Sequence, residues 1–359
     1  MKIAITLTTI FKPLVIEDYL KNIKKYDHKN LEIIVVEDKK TPSGVKEFCE
    51  GLEKKYNIPV RYLDLKFQKD YLIKYPDLDK YLPFNSFARR NIADLYAYEK
   101  GFNIIIRVDD DNCPLEDDFV GIHSLVGKKL KASVISSKNG WYNICEQLVD
   151  MDNIPFYPRG FLYNMRWQKS EIKTHQDNLK VVLNAGLWLG DPDVDAITRL
   201  CKRINAVKYK ETFGKNFILH KNTWCPINTQ NTSYCSEIIP ASLVLPNVGR
   251  YDDIWSGYLL RKIVDHMNHY ISYGRPLIFQ KRNDHNLWDD LNKEINGNIF
   301  TKHLIEVLKL INLTKSSYVD CYYELAKKLD DNIQENKAVF RSVTLGMKIW
   351  SETINKIDR

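Results

Sequence analysis

The sequence predicts an α/β protein: a Rossmann-like, mainly parallel sheet with helices on both faces, followed by a helical C-terminal extension. Three observations predict it. Short β-branched runs alternate with helical patterns through the first hundred residues. The run Ile104-Ile105-Ile106-Arg107-Val108 stops abruptly in Asp109-Asp110-Asp111, and open α/β sheets place ligands at such strand ends. From Phe300 onward the apolar pattern is helical only.

The elements follow in order. A strand is expected over Lys2–Thr8, a helix near Ile16–Lys25, and a strand over Leu31–Val36 that ends in Glu37-Asp38. A helix capped at Ser43 carries Val45, Phe48 and Leu52, and a strand covers Val60–Leu65. Residues 66–85 have no clean period and read as a loop. Asn85 or Ser86 caps the next helix, which stops at Gly101 and carries Arg89 and Arg90 in its first turns. At helical spacing these two point about 100° apart; a surface position is the default for either alone, and one of the two is a candidate to reach a diphosphate. Beyond the Asp cluster come a strand over Ala132–Ser136, a polar loop to about Ile154, and the aromatic segment Pro155–Arg166.

Val181 to Ala196 reads as a strand with Gly186 inside it, a mark of close approach by a ligand or another backbone. A helix then starts with Asp191 as cap and Pro192 at its first position, and buries Ile197, Leu200 and Ile204. Asp193 and Asp195 favour its dipole. A strand over Ser242–Leu245 leads to a helix with Asp252 and Asp253 at its start. A strand over Ile271–Phe279 ends in Gln280–Asn286. These patterns divide the chain into 1–295 and a helical extension, 296–359. The extension packs on the core, on a partner, or peripherally on a membrane through Trp350 and Phe340.

Composition narrows the function. Over 359 residues, 44% hydrophobic and 28% charged is ordinary for a globular chain. The net charge of +7 is spread out, with no block of like charges and no nucleic-acid-binding signature, so nucleic acid is not an expected partner. No apolar run is long enough to span a bilayer. Seven Cys without a Cys-x-x-Cys pair read as reduced thiols, and nothing near Cys225 and Cys235 completes a zinc set. The expected location is cytoplasmic, with peripheral contact at the inner membrane face as an extension of it.

The chemistry starts at the three Asp residues. In extended chain Asp109 and Asp111 share one face and Asp110 takes the other. Two carboxylates on one side suit a hard divalent cation. The competing role is a solvated acidic turn. Asp38, at the end of its own strand, suits a ribose or base edge. Either Asp252 or Asp253 caps its helix, and the other is a candidate base.

Four blocks occur in this order: Asp109-Asp110-Asp111; Arg159-Gly160-Phe161 with Arg166; Gly186-Leu187-Trp188-Leu189 with Pro192–Ala196; and Gly249–Gly257. Together they resemble the reversibly glycosylated polypeptide family, the plant UDP-arabinopyranose mutases, and the related STELLO glycosyltransferase-like proteins. The resemblance covers roughly residues 1–295. It implies a GT-A (nucleotide-diphospho-sugar transferase) fold and a metal-dependent glycosyltransferase. The donor would be UDP-, GDP- or CMP-linked, and the acceptor a glycan or lipid-linked glycan in surface polysaccharide synthesis. The alternatives are a sugar-nucleotide mutase and a non-catalytic nucleotide-sugar-binding scaffold.

The resemblance also implies roles. Asp109, Asp111 and His285 would hold Mn²⁺ or Mg²⁺. Thr8, Asp38, Asp110, Gly186 and Trp188 would line the donor site, and Arg89 or Arg90 would meet phosphate. Asp252 or Asp253 would be the base. Arg159 matches the Arg that becomes glycosylated in the mutases. The plainer role for Arg159 and Arg166 is to clamp phosphate or an acidic sugar. The departures at Asn184-Ala185 and Gly190-Asp191, with the helical tail, lean toward the STELLO-like branch.

Overall fold

The computed structural model describes residues 1–333 and 337–357. The strands are β1 (Ile3–Thr9), β2 (Leu31–Glu37), β3 (Val60–Leu63), β4 (Ile104–Arg107), β5 (Asn112–Pro114), β6 (Lys128–Ser137), β7 (Leu148–Asp150), β8 (Ile172–Gly190), β9 (Ala206–Tyr209), β10 (Asn216–Leu219), β11 (Thr232–Cys235) and β12 (Tyr270–Gln280). The helices are α1 (Val15–Lys25), α2 (Val45–Tyr56), α3 (Leu65–Leu72), α4 (Pro76–Tyr81), α5 (Asn91–Glu99), α6 (Phe119–His123), α7 (Ala196–Cys201), α8 (Asp252–His266), α9 (Leu287–Leu310), α10 (Tyr318–Asn332) and α11 (Lys337–Ile357).

The α/β class expected from the sequence is what the structure shows. The sheet order is β3-β2-β1-β4-β11-β8-β6-β10-β12-β5. It is parallel from β3 to β4 and mixed beyond. Ile5, Ile33 to Val36, and Ile104 to Ile106 are buried, as expected of strands covered on both faces. Because β2, β1 and β4 are neighbours and run the same way, Asp38, Thr8-Thr9 and Asp109–Asp111 emerge at one edge of the sheet.

Several expected elements differ. Residues 66–85 hold α3 and α4 instead of a loop. Phe67 stacks on Tyr71 at 5.7 Å, and Tyr71 meets Tyr75, the residue before α4, edge-on at 6.0 Å, a four-residue spacing hidden among Lys and Asp. Ser43 does not cap α2; Gly44 precedes it at φ 84°. α7 starts at Ala196 with Asp195 as its cap, accepting from the Thr198 amide at 2.9 Å. The expected start at Asp191 fails because its backbone N–H is tied to Gln280 O at 3.1 Å and its carboxylate pairs with Arg199. Ile197 and Leu200 are therefore exposed, and Ile204 is buried beyond the helix. Ser242–Leu245 is buried but not a strand.

The C-terminal helices belong to the core. α9 begins at Leu287 and runs through residues 295 and 296. In α11, Phe340, Val343, Met347, Trp350 and Ile354 are buried. Phe340 stacks on Trp255 at 5.1 Å, and the Trp350 indole N–H donates to Ile239 O at 3.2 Å. Exposing such side chains costs about 1.5–3 kcal/mol each, so Phe340 and Trp350 are not a free membrane face. Among the described residues no helix is long and apolar enough to cross a membrane.

Candidate functional site

A cavity of about 640 Å³ opens where the parallel strands end. One wall carries Thr8, Thr9 and Asp38 from the ends of β1 and β2, with Asp109, Asp110 and Asp111 after β4. The opposite wall carries Arg159, Asp193, and Gly249 to Asp253 at the start of α8. Arg282 and His285 after β12, and Lys293 on α9, complete it.

The acidic turn is held from three sides. Arg90, wholly buried, donates to Val108 O at 2.8 Å, Asp109 Oδ1 at 2.9 Å and Thr229 O at 2.9 Å. Asp110 accepts from the Thr9 hydroxyl at 2.5 Å and from the Asn283 amide at 3.1 Å. Asp111 accepts from Asn112 at 2.9 Å. Burial raises all three carboxyls, and Asp109 is pushed up to about 6 despite Arg90, with Asp111 adding to the rise. Asp110 does not turn away as the extended-chain reading predicts. The segment leaves β4 at Arg107 and turns, so all three carboxylates line the cavity.

The far wall is an ion network around Arg159. This guanidinium is 7% exposed. Its Nε and Nη2 donate to the two Asp193 oxygens at 2.9 and 3.1 Å, and its Nη1 to Asp253 Oδ1 at 3.2 Å and to Arg250 O. Burial opposes its charge, but Asp193 and Asp253 hold its pKa well above the usual arginine value. Asp253 also accepts from the Thr229 amide at 3.1 Å. Asp252 is different: it forms no ion pair among the described residues, and its Oδ1 accepts only the Asp253 amide at 2.9 Å. Burial, then the neighbouring Asp253, push its carboxyl up to about 7.

The cavity gathers Thr8, Asp38, Asp109, Asp110, Asp111, Arg159, Asp252, Asp253 and His285. Asp38 is already committed, accepting the amides of Lys39, Asn85 and Ser86 at 2.7, 2.7 and 3.1 Å. Arg89 lies outside the cavity lining, donating to Gln68 and Leu82 O. Arg90 lies behind the turn and does not line the cavity. Arg166 pairs with Asp195 and reaches Thr198, away from this cavity. Gly186 and Trp188 line a small cleft behind Arg159. The close approach at Gly186 is by Asn231 of the neighbouring strand connection, 2.4 Å from where a Cβ would sit.

Among the described residues, no three His, Cys, Asp or Glu side chains converge to hold a metal on protein ligands alone. Asp109, Asp111 and His285 thus form no such set; His285 Nδ1 is 3.1 Å from Asp290. Two carboxylates still suit a cation that brings phosphate oxygens as its other ligands. Reasoning from the sequence missed the cationic residues Arg250, Arg282 and Lys293. Arg250 pairs with Glu294 at 2.9 Å and Asp290 at 3.3 Å. Arg282 Nε is buried without a hydrogen-bond partner, and the guanidinium pairs at 3.8 Å with both Asp191 and Asp193. The polar run Gln280–Asn286 was the available signal for Arg282.

Comparison with known proteins adds sequence relatives. UDP-arabinopyranose mutase 3 of Arabidopsis thaliana is 27% identical over 210 residues, 56% of this chain and 54% of the relative. Probable UDP-arabinopyranose mutase 2 of Solanum tuberosum is 26% identical over 211 residues, 56% and 54% respectively. The chain spans about half the length of the curated relatives it matches. These relatives carry mutase names. Among solved structures, S. aureus TarS 1-349 superposes with a TM-score of 0.38 at 10% identity, covering 99% of this chain and 91% of that one. M. tuberculosis glucosyl-3-phosphoglycerate synthase gives 0.40 at 12%, covering 85% and 80%. The model of the family described as "Reversibly glycosylated polypeptide" matches residues 159–359. It includes the helical tail that the sequence resemblance left out and begins at Arg159. With more than half its length matched, the chain belongs to the reversibly glycosylated polypeptide family.

Proposed function

We propose that the cavity binds a UDP-sugar and that the chain acts as a sugar-nucleotide mutase, interconverting ring forms of the donor's sugar. The observation that carries this reading is the pairing of roles at the start of α8. Asp253 is locked to Arg159, while the adjacent Asp252 faces the cavity without an ion pair and titrates near neutrality. Ring interconversion opens one sugar C–O bond and closes another, so a proton must be taken up and returned. A carboxyl pushed up to about 7 does both at neutral pH. The mutase names of the sequence relatives support the same reading.

Arg159 is then a positioning residue. A guanidinium held in its charged form by two carboxylates is a poor nucleophile, and it fixes Asp253 and the turn that presents Asp252. The donor's diphosphate would lie between Asp109–Asp111 and the cationic side chains of Arg282 and Lys293. Asp109 and Asp111 would hold Mn²⁺ or Mg²⁺ together with phosphate oxygens. When bound, the ion would neutralise charge on the diphosphate.

A second reading, glycosyl transfer to a glycan, is favoured by the same Asp252, which is accessible enough to deprotonate an acceptor hydroxyl. The deciding experiment incubates the protein with UDP-arabinopyranose and Mn²⁺ and resolves the products by anion-exchange chromatography and NMR. Conversion to the furanose nucleotide without net UDP release supports the mutase. Release of UDP with sugar on an added glycan supports transfer. UDP binding with neither product supports a binding scaffold.

A further inference from the structure

A second cavity, of about 460 Å³, lies on the other side of the Pro155–Arg166 segment. Arg159 of that segment faces the first cavity, while Tyr157, Phe161 and Arg166 line the second. Its walls are aromatic. Trp167 is 77% exposed, and its ring meets Tyr157 edge-on at 5.6 Å. Trp141 and Phe161 meet behind them at 5.2 Å. Apart from that edge contact, the indole is open to solvent and stands with Tyr157 at the rim of a shaped cavity.

The polar groups around these rings are fixed yet unspent. Asn139 Oδ1 accepts from the Ser137 hydroxyl at 2.8 Å and the Trp141 amide at 3.0 Å, which anchors the side chain and leaves its NH₂ donors unused. The Glu146 carboxylate lines the cavity with no ion pair or hydrogen bond among the described residues. The Trp141 indole N–H is likewise without a partner there. The cavity thus offers aromatic faces, a strong acceptor and two kinds of fixed donor. A sugar ring presents the complement: apolar C–H faces and a rim of hydroxyls that both donate and accept. An anionic ligand fits less well, because Glu146 sits in the wall and Arg166 is already paired with Asp195.

We propose that this cavity is a saccharide-binding subsite for a neutral oligosaccharide, separate from the nucleotide-sugar cavity and sharing the Pro155–Arg166 segment with it. The subsite holds a glycan chain by stacking on Trp167 and Tyr157 and by hydrogen bonds to Glu146 and Asn139.

The test titrates the full chain with xylopentaose, arabinopentaose and maltopentaose, followed by tryptophan fluorescence, with UDP binding measured in parallel. At least one pentasaccharide is expected to bind, and Trp167→Ala and Glu146→Gln each to weaken it about tenfold or more, with UDP affinity unchanged. Because Trp167 and Glu146 are exposed, neither variant threatens folding. No binding at about 10 mM overturns the inference. So does binding that survives Trp167→Ala, that UDP displaces, or that a peptide shows in place of every saccharide. In each of these cases intact UDP binding leaves the proposed function standing.

Discussion

Replacing Arg159 by Met separates a structural ion network from a reactive guanidinium. Arg159, Asp193 and Asp253 are 7%, 2% and 4% exposed, so the variant leaves two buried carboxylates facing each other without their cation. Removing one member of a buried, hydrogen-bonded ion group costs about 3–5 kcal/mol. At about 2 °C per kcal/mol for a large domain, Tm should fall roughly 6–10 °C at pH 7. Arg159→Lys keeps the charge but loses the fork that spans both oxygens of Asp193, and should fall between. The pH dependence has a definite sign. Burial raises the Asp193 carboxyl, but Arg159 overrides it and holds it well below the usual carboxylate range. A depressed folded pKa contributes stability above the unfolded value, about 3.9, and loses it as pH falls through the folded value. The gap between wild type and Arg159→Met should therefore be widest near pH 7 and close in acid. Urea unfolding from pH 8 down to about pH 2, well below the unfolded value, measures it. A loss below about 1 kcal/mol, or a gap that does not change with pH, would refute the view of Arg159 as a locked cation.

Three further outcomes follow from the same geometry. Asp252→Asn should lower kcat at least about a hundredfold with little change in UDP affinity, and the wild-type rate should depend on an ionisation near pH 7, read from a pH–rate profile. A raised folded pKa gives stability that is present below about 3.9 and lost as pH rises through about 7, so Asp252→Asn should be more stable than wild type at pH 8 but not at pH 4. Asp38→Ala should strand the amides of Lys39, Asn85 and Ser86, cost about 1–3 kcal/mol, and raise the KM for the donor by loosening the cavity wall. Gly297→Ala would set a Cβ 2.0 Å from the Tyr251 ring and should cost about 1–3 kcal/mol, measured by thermal unfolding.

The parallel half of the fold was legible because its signals are local. A β-branched run ending in carboxylates identifies itself within ten residues, as Ile104 to Asp111 does. Arg90 was visible as a cation and Asp109 as an anion, but two of its three partners are the carbonyls of Val108 and Thr229, which every residue type carries and no sequence advertises. Asp193 was read as a helix-dipole residue because Pro192 imitates a helix start. Its actual partner, Arg159, lies 34 positions earlier. Phe67 and Tyr71 of α3 keep a helical spacing, but intervening Lys and Asp flattened the pattern. Nothing local could join Lys293 to Asp109, since only the packing of α9 against Gly249–Tyr251 brings them to one cavity.

That packing changes what a minimal enzyme would be. Lys293 lines the cavity, and Glu294 holds both Arg250 and the Ala196 amide, at 2.9 and 2.8 Å. A fragment cut at residue 295, where the strand-rich pattern stops, would keep both residues but place them in the last, fraying turn of a shortened helix. It would also lose α10 and α11, whose buried Phe340 and Trp350 pack on Trp255 and Ile239, and so leave the core behind α8 open to water. The smallest piece that keeps the cavity wall in place therefore includes the helical tail.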